Sequence, residues 1–180
     1  YVADAGTRWA YHNVYVKLQD VVAASTGQTW NNYFNTKLKT KIGMTGLWAT
    51  VDGNLSVYNS NTRSMARFGL LALKNGKWNN EQIINEAFFK ESISTSQTIN
   101  PSYGYLWWLN GKSKYMVPGG QTVYQGALVP NAPADMYAAM GAEDQRIYVI
   151  PSKNMVVIRM GDASDPANPN FALSGFDSAL

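Results

Sequence analysis

The chain contains no cysteine and a single histidine, His12. Without cysteine there is no disulfide, no thiolate zinc site and no cysteine nucleophile, and the chain suits either redox compartment. One histidine rules out zinc helices that need two, and any serine–histidine–aspartate triad has to use His12. Asp4, Asp20, Asp52, Glu81 and Glu86 show no calcium-loop spacing. No metal and no cofactor are therefore expected. Gly119-Gly120 follows Pro118 but precedes no Gly-Lys-Ser/Thr, so it reads as a turn and not a phosphate loop. No apolar run approaches the roughly 18–20 residues of a membrane span. No charged-then-apolar signal segment opens the chain, and Tyr1 is not an initiator, so processing or truncation is expected to have removed what came first.

Charge is also scarce. Charged residues make up 15% of the chain and the net charge is +3. The one short basic cluster, Lys37, Lys39 and Lys41, reads as a solvated helix face. A nucleic-acid patch needs denser basic residues interleaved with aromatics, so no nucleic-acid partner is expected.

What is abundant is apolar and aromatic. Of 180 residues, 46% are hydrophobic and 13% aromatic, with six Trp and eleven Tyr. That is globular composition, long enough for one domain with a real core. Large amphipathic rings line ligand clefts or fill cores.

Periodicity predicts helices first and strands last. Residues 13–24 read as a helix with Val14, Leu18, Val21 and Val22 on one face and Gly27 as its C-cap. Thr29 is expected to cap a second helix to Leu38, with Trp30, Phe34 and Leu38 on its stripe. Gly43-Met44-Thr45-Gly46 breaks that pattern, and residues 50–59 read as loop or short irregular strand. Asn61 or Thr62 opens a third helix carrying Met65, Phe68, Gly69 and Ala72, stopped by Asn75-Gly76. Residues 81–91 read as a fourth. The period then changes. Residues 103–109, 136–140, 147–150 and 155–160 read as strands, the last two joined by a turn at Pro151-Ser152-Lys153-Asn154. Residues 174–180 read as the opening of a helix. The expectation is an α+β chain, residues 1–100 mainly helical and 101–180 mainly antiparallel strands.

Three stretches carry a resemblance. The first is A-G-T-R-W-A-Y-H-N-V-Y-V-K-L at residues 5–18, running on to Thr26-Gly27. The second is K-I-G-M-T-G at 41–46. The third is Y-A-A-M-G-A-E-D-Q-R-I-Y-V-I-P at 137–151. In that order and spacing the chain resembles the penicillin-binding, serine β-lactamase-like hydrolases, which include class C β-lactamases, esterases and 6-aminohexanoate-dimer hydrolases. Tyr11-His12-Asn13 is similar to the family's Tyr-x-Asn element, with Ala5 in place of its proline and His12 in place of its serine. The family's nucleophile lies in an upstream Ser-x-x-Lys, and no such motif occurs in these 180 residues. The resemblance thus implies the C-terminal portion of a β-lactamase/transpeptidase-like fold.

The resemblance also implies roles. Tyr11 is the general base or proton relay. A phenol ionises near 10 unless a neighbouring ammonium favours the phenolate, so without the lysine Tyr11 is expected to stay protonated. Asn13 offers an amide to a substrate carbonyl, or else merely caps the following helix. In extended backbone Tyr11 and Asn13 share a side and His12 points away. Ala139-Met140-Gly141 stands where the family has Lys-Thr-Gly or His-x-Gly. The missing cation argues against an efficient β-lactamase or cell-wall peptidase and leans toward ester or amide hydrolysis. Met140 and Gly141 are expected to contact substrate, and the Ala142 N–H is the implied oxyanion donor. Glu143-Asp144 reads as a solvated turn. Trp107 and Trp108 are candidate substrate contacts; they fall on opposite strand faces, so at most one of them can wall the cleft and the other reads as core. Arg8 and Arg146 are candidate anion contacts, with surface solvation the plainer reading. The implied activity is hydrolysis of a small ester or amide through an acyl-enzyme, this chain being inactive alone. The competing reading is a non-catalytic ligand-binding module of the same fold. A homodimer through exposed sheet or helix faces and a periplasmic or extracellular location complete the expectations.

Overall fold

The computed structural model describes residues 1–51, 53, 55–164 and 177, with Val14 described in its backbone only. The opening of a helix expected at 174–180 lies outside the described residues, Asp177 excepted.

The 3-10 turn Asn13–Val16 leads into helix α1, Lys17–Thr26. Gly27 ends it in the left-handed region at φ 66°, its N–H on the Ala23 carbonyl at 3.0 Å, a conformation glycine adopts without a Cβ penalty. The expected inward face is not inward. Leu18 and Val21 are 53% and 60% exposed, and no residue of α1 is buried. Thr29 caps α2, Trp30–Phe34, by accepting from the Asn32 N–H at 3.2 Å. A wider π-type turn, Asn35–Lys39, extends it.

Two hairpins lie where the sequence promised loop or helix. β1 (Gly46–Val51) pairs with β2 (Leu55–Ser60). Trp48 sits opposite Tyr58; Trp48 packs on Trp30 and Phe34 of α2 and Tyr58 on Phe34, with centroids 4.9–5.4 Å apart. This edge-to-face cluster supplies the strand pairing that the polar, breaker-rich text of 50–59 conceals. β3 (Lys77–Trp78) and β4 (Glu81–Gln82) turn through Asn79 and Asn80, both at positive φ. The fourth helix, α4, therefore starts at Glu86 rather than 81, where Asn85 accepts from the Phe88 N–H at 2.9 Å. Between α2 and α4 lies α3, Thr62–Leu73, capped by Asn61 through the Ser64 N–H at 2.8 Å, as expected.

The main sheet is antiparallel, in the order β10 (Met155–Arg159), β9 (Arg146–Ile150), β8 (Tyr137–Met140), β5 (Trp108–Leu109). The strand expected over 103–109 shrinks to two residues, because Leu106 takes φ 64° and breaks the extended run. A small pair, β6 (Lys114–Tyr115) with β7 (Tyr124–Gln125), stands apart. Side chains alternate across the sheet with the strand period of two. Tyr137, Ile147 and Val149 join Ala72, Phe89 and Trp107 on one side. Ala138, Met140, Tyr148 and Ile150 join Trp9, Trp108, Met116 and Leu128 on the other. β9 is buried along its whole length. The result is an α+β architecture with a sheet covered on both faces. α3 lies close on it because Gly69 has no side chain; a Cβ there would stand 2.4 Å from Val156 Cγ1.

Candidate active site

A cleft of about 860 Å³ gathers residues from both ends of the sequence. Tyr11, Asn13 and Tyr15 come from the turn before α1, Val57 to Ser60 from β2, Pro118 and Gly119 from the β6–β7 connection, and Met140, Gly141 and Ala142 from the end of β8. Tyr11, Asn13, Met140, Gly141 and Ala142 thus face one space. His12 faces another, a cavity of about 290 Å³ walled by Trp9, Tyr11, Tyr15, Leu18, Tyr103 and Leu106. Tyr11 and Tyr15 partition the two. The opposite directions of His12 and Asn13 are those of extended backbone.

Tyr11 is half-buried among rings. It stacks on Trp108 (centroids 6.0 Å, 27°) and meets Trp9 and Tyr103 at 6.3 and 6.0 Å. Burial first, and the neighbouring Tyr15 second, push its phenol above the ordinary tyrosine value. Loss of the proton in that apolar nest strands a charge without solvent. Burial raises Tyr103 as well. Asn13 is exposed and its side chain makes no hydrogen bond among the described residues; α1's cap position is Val16, without a side-chain bond. The amide is therefore not spent on capping.

Trp107 and Trp108 do occupy opposite faces, but neither lines the cleft. Trp107 stacks on Phe68 at 6.1 Å and 8° and is core. Trp108 is 1% exposed and backs Tyr11. The reading of these rings as candidate substrate contacts is corrected on that geometry, since strand pairing with β8 carries both inward. Trp108 touches the site through Tyr11 instead.

At the other lip, Glu143 and Asp144 take φ 57° and 55° in a tight turn closed by Gln145 N–H to the Ala142 carbonyl at 3.2 Å. Glu143 is exposed, as a solvated turn requires, whereas Asp144 is buried. Asp144 accepts from Arg146 Nη2 at 2.7 Å and from the Ser164 N–H at 2.9 Å and its hydroxyl. Burial opposes its charge, but the Ser164 hydrogen bonds with Arg146 and Arg159 outweigh it and hold the carboxyl below the usual range. Arg146, read from sequence as a surface cation, is 1% exposed. Beyond Asp144 it meets Asp177 Oδ1 through Nε at 3.2 Å, and the Gly141 carbonyl through Nη1 at 2.7 Å. Asp177 also accepts from the Tyr148 hydroxyl. The signal for this was present: a cation inside a β-branched strand has to be paired, and Asp144 lies two residues away.

A β-lactamase family model matches residues 2–172. The chain belongs to the β-lactamase family. An uncharacterized protein of Alkalihalophilus pseudofirmus is 26% identical over 86% of this chain and 52% of its own length. A Bacillus anthracis protein provisionally named a 6-aminohexanoate-dimer hydrolase superposes with a TM-score of 0.70 at 21% identity, covering 93% of this chain and 42% of that one. A provisionally named β-lactamase of Bacteroides dorei gives 0.65 at 12% identity, with 94% and 55% covered. An octameric penicillin-binding protein homologue of Pyrococcus abyssi gives 0.56 at 15%, with 91% and 40% covered. These likenesses establish a β-lactamase-like hydrolase fold. The chain spans about half the length of the relatives it matches.

Against the family's pattern, β8 ends Ala139-Met140-Gly141 and brings no cation to the cleft. Among the described lining residues only Glu143 is charged. None of the groups of His, Asp and Glu among the described residues is placed to hold a metal ion.

Proposed function

We propose that this chain supplies the tyrosine, asparagine and oxyanion-donor part of a serine hydrolase site that cleaves a neutral ester or amide. The observation that carries the reading is the single cleft shared by Tyr11, Asn13 and the Gly141-Ala142 turn. In this mechanism a serine supplied by another polypeptide segment attacks the carbonyl carbon and an acyl-enzyme forms. Tyr11, paired with a lysine from that segment, relays the serine's proton to the leaving group. Asn13 donates to the substrate's carbonyl, and the Ala142 N–H stabilises the developing oxyanion; loss of one such donor typically costs on the order of 100- to 1,000-fold in rate.

The absence of a cation from the described lining supports an uncharged substrate over a penicillin-like carboxylate. The aromatic cavity on the far side of Tyr11 suits an apolar portion of that substrate. The bacterial relative provisionally named a 6-aminohexanoate-dimer hydrolase agrees with the amide branch. Self-association through the exposed apolar face of α1 and an exported, periplasmic or extracellular setting belong to the same reading. The Pyrococcus homologue is itself octameric.

A neutral amide, N-phenethylacetamide, tests the carbonyl site without chemistry. Titrated into the ¹⁵N-labelled chain, it is expected to shift the Ala142 backbone amide and the Asn13 side-chain amide together and saturably. Shifts confined to other residues would remove the basis for the assignment. Binding together with full retention of affinity in Tyr11→Phe, and no hydrolysis in any context that adds a Ser-x-x-Lys segment, would favour a non-catalytic binding module.

A further inference from the structure

The Ala142 N–H can serve a carbonyl oxygen only if its peptide faces the cleft, and the described residues show what turns it that way. The peptide is trans, so the Gly141 carbonyl and the Ala142 N–H point in opposite directions. The Gly141 carbonyl accepts from Arg146 Nη1 at 2.7 Å, on the buried side of the turn. The N–H of Ala142 therefore points away from Arg146, and Ala142 is exposed on the cleft wall. The Gly141 N–H is fixed as well, on the Gln145 carbonyl at 2.8 Å.

Arg146 has little freedom to aim elsewhere. Its guanidinium is planar, with donors at fixed angles. Nε and Nη2 go to Asp177 Oδ1 and Oδ2 at 3.2 and 3.4 Å, and Nη2 also goes to Asp144 Oδ1 at 2.7 Å. Nη1 then faces Gly141, with the Gln145 carbonyl a looser second acceptor at 3.4 Å.

We propose that Arg146, clamped by Asp144 and Asp177, is the positioning residue that orients the Gly141–Ala142 peptide and so presents the Ala142 N–H to the substrate carbonyl. The proposal rests on the reading of Ala142 as the carbonyl donor. It explains why a strand buried along its length keeps an arginine, and why two non-glycine residues accept the left-handed region directly above it. The turn's geometry puts Asp144 where it can hold the guanidinium from one side while Asp177 holds it from another. Lysine in the same place has a single tetrahedral head and cannot meet both carboxylates and the carbonyl in one plane.

The test is the same N-phenethylacetamide titration on variants. Arg146→Lys keeps the buried charge and is expected to lose the Ala142 amide response. Asp177→Asn removes the charge but keeps an Oδ1 acceptor for the Arg146 Nε, so the guanidinium stays aimed at Gly141 and the response is expected to persist. Should Arg146→Lys fail to fold, Arg146→Met/Asp177→Asn removes the guanidinium with one of its carboxylates, leaving Asp144 satisfied by Ser164; it too is expected to lose the response. An equal response in wild type and the Arg146 variants would overturn the proposal. Loss in Asp177→Asn as complete as in Arg146→Lys would also overturn it, since the role would then be merely structural. No Ala142 response in the wild type would instead defeat the carbonyl-site reading beneath it.

Discussion

Tyr11 sits in a nest of rings that favours its neutral form, and that has a consequence for solution behaviour. Burial raises the phenols of Tyr11, Tyr103, Tyr137 and Tyr148 above their ordinary value. For Tyr137 the nearby Asp135 adds to burial, and for Tyr148 the Asp177 carboxylate does. A tyrosine whose native pKa lies above its unfolded value of about 10 contributes stability in full below that value and loses it as pH rises further. Alkaline unfolding is expected to begin above pH ~10, and a Tyr11→Phe chain is expected to unfold at higher pH than wild type. Circular dichroism against pH checks both. Asp144 has the opposite sign. Its native pKa is lowered, so its contribution is present above the ordinary aspartate range and fades as pH falls through the native value. Acid titration of Asp144→Asn beside wild type is expected to show a shallower loss of stability in the variant.

At the scale of elements, two local conflicts yield predictions. Gly69 allows α3 to touch the sheet, with Val156 Cγ1 2.4 Å from where a Cβ would stand. Gly69→Ala gains helix propensity on paper but overpacks that contact, and is expected to destabilise by about 1–3 kcal/mol. Urea denaturation measures it, and a stabilised variant would mean that the helix sits farther off. Glu143 holds φ 57° without the short side chain that tolerates it. Glu143→Asn is expected to stabilise by about 0.5–1 kcal/mol in the same assay.

These elements also show what the residues disclosed beforehand. The caps at Thr29 and Asn61 and the stop at Gly27 were legible because each is a local hydrogen bond or a local backbone conformation. So were β8, β9 and β10, whose β-branched text needs no distant partner to be recognised. The β1–β2 hairpin was not, because its stability comes from Trp48 and Tyr58 meeting α2. α4 started late for a related reason: Ile83 and Ile84, read as helix, donate to the Gly76 carbonyl instead. The shared direction of Tyr11 and Asn13 followed from strand geometry alone. The burial of Trp107, Trp108 and Arg146 did not, since it depends on which strand pairs with which.

On the scale of the whole molecule, the chain presents a covered sheet and an uncovered helix. Leu18 and Val21 leave α1 with an apolar face toward solvent. Large exposed apolar patches mark association surfaces. Light scattering over a concentration series is expected to show dimer or higher species, reversed by Leu18→Glu/Val21→Glu; a clean wild-type monomer at high concentration would contradict this. Leu18 also lines the aromatic cavity that Tyr11 and Tyr15 divide from the cleft. Among the described residues the cleft is lined by Tyr11, whose burial favours the neutral phenol, by Asn13, whose amide makes no hydrogen bond, and by the exposed Ala142, while the 180 residues contain no Ser-x-x-Lys.

The most direct measurement is therefore a stopped-flow assay of the 180-residue chain with p-nitrophenyl acetate at near-stoichiometric concentration. The account predicts no burst of p-nitrophenolate and a rate indistinguishable from that of Tyr11→Phe. A burst of about one equivalent per chain, abolished in Tyr11→Phe, would contradict it and place a nucleophile within this sequence.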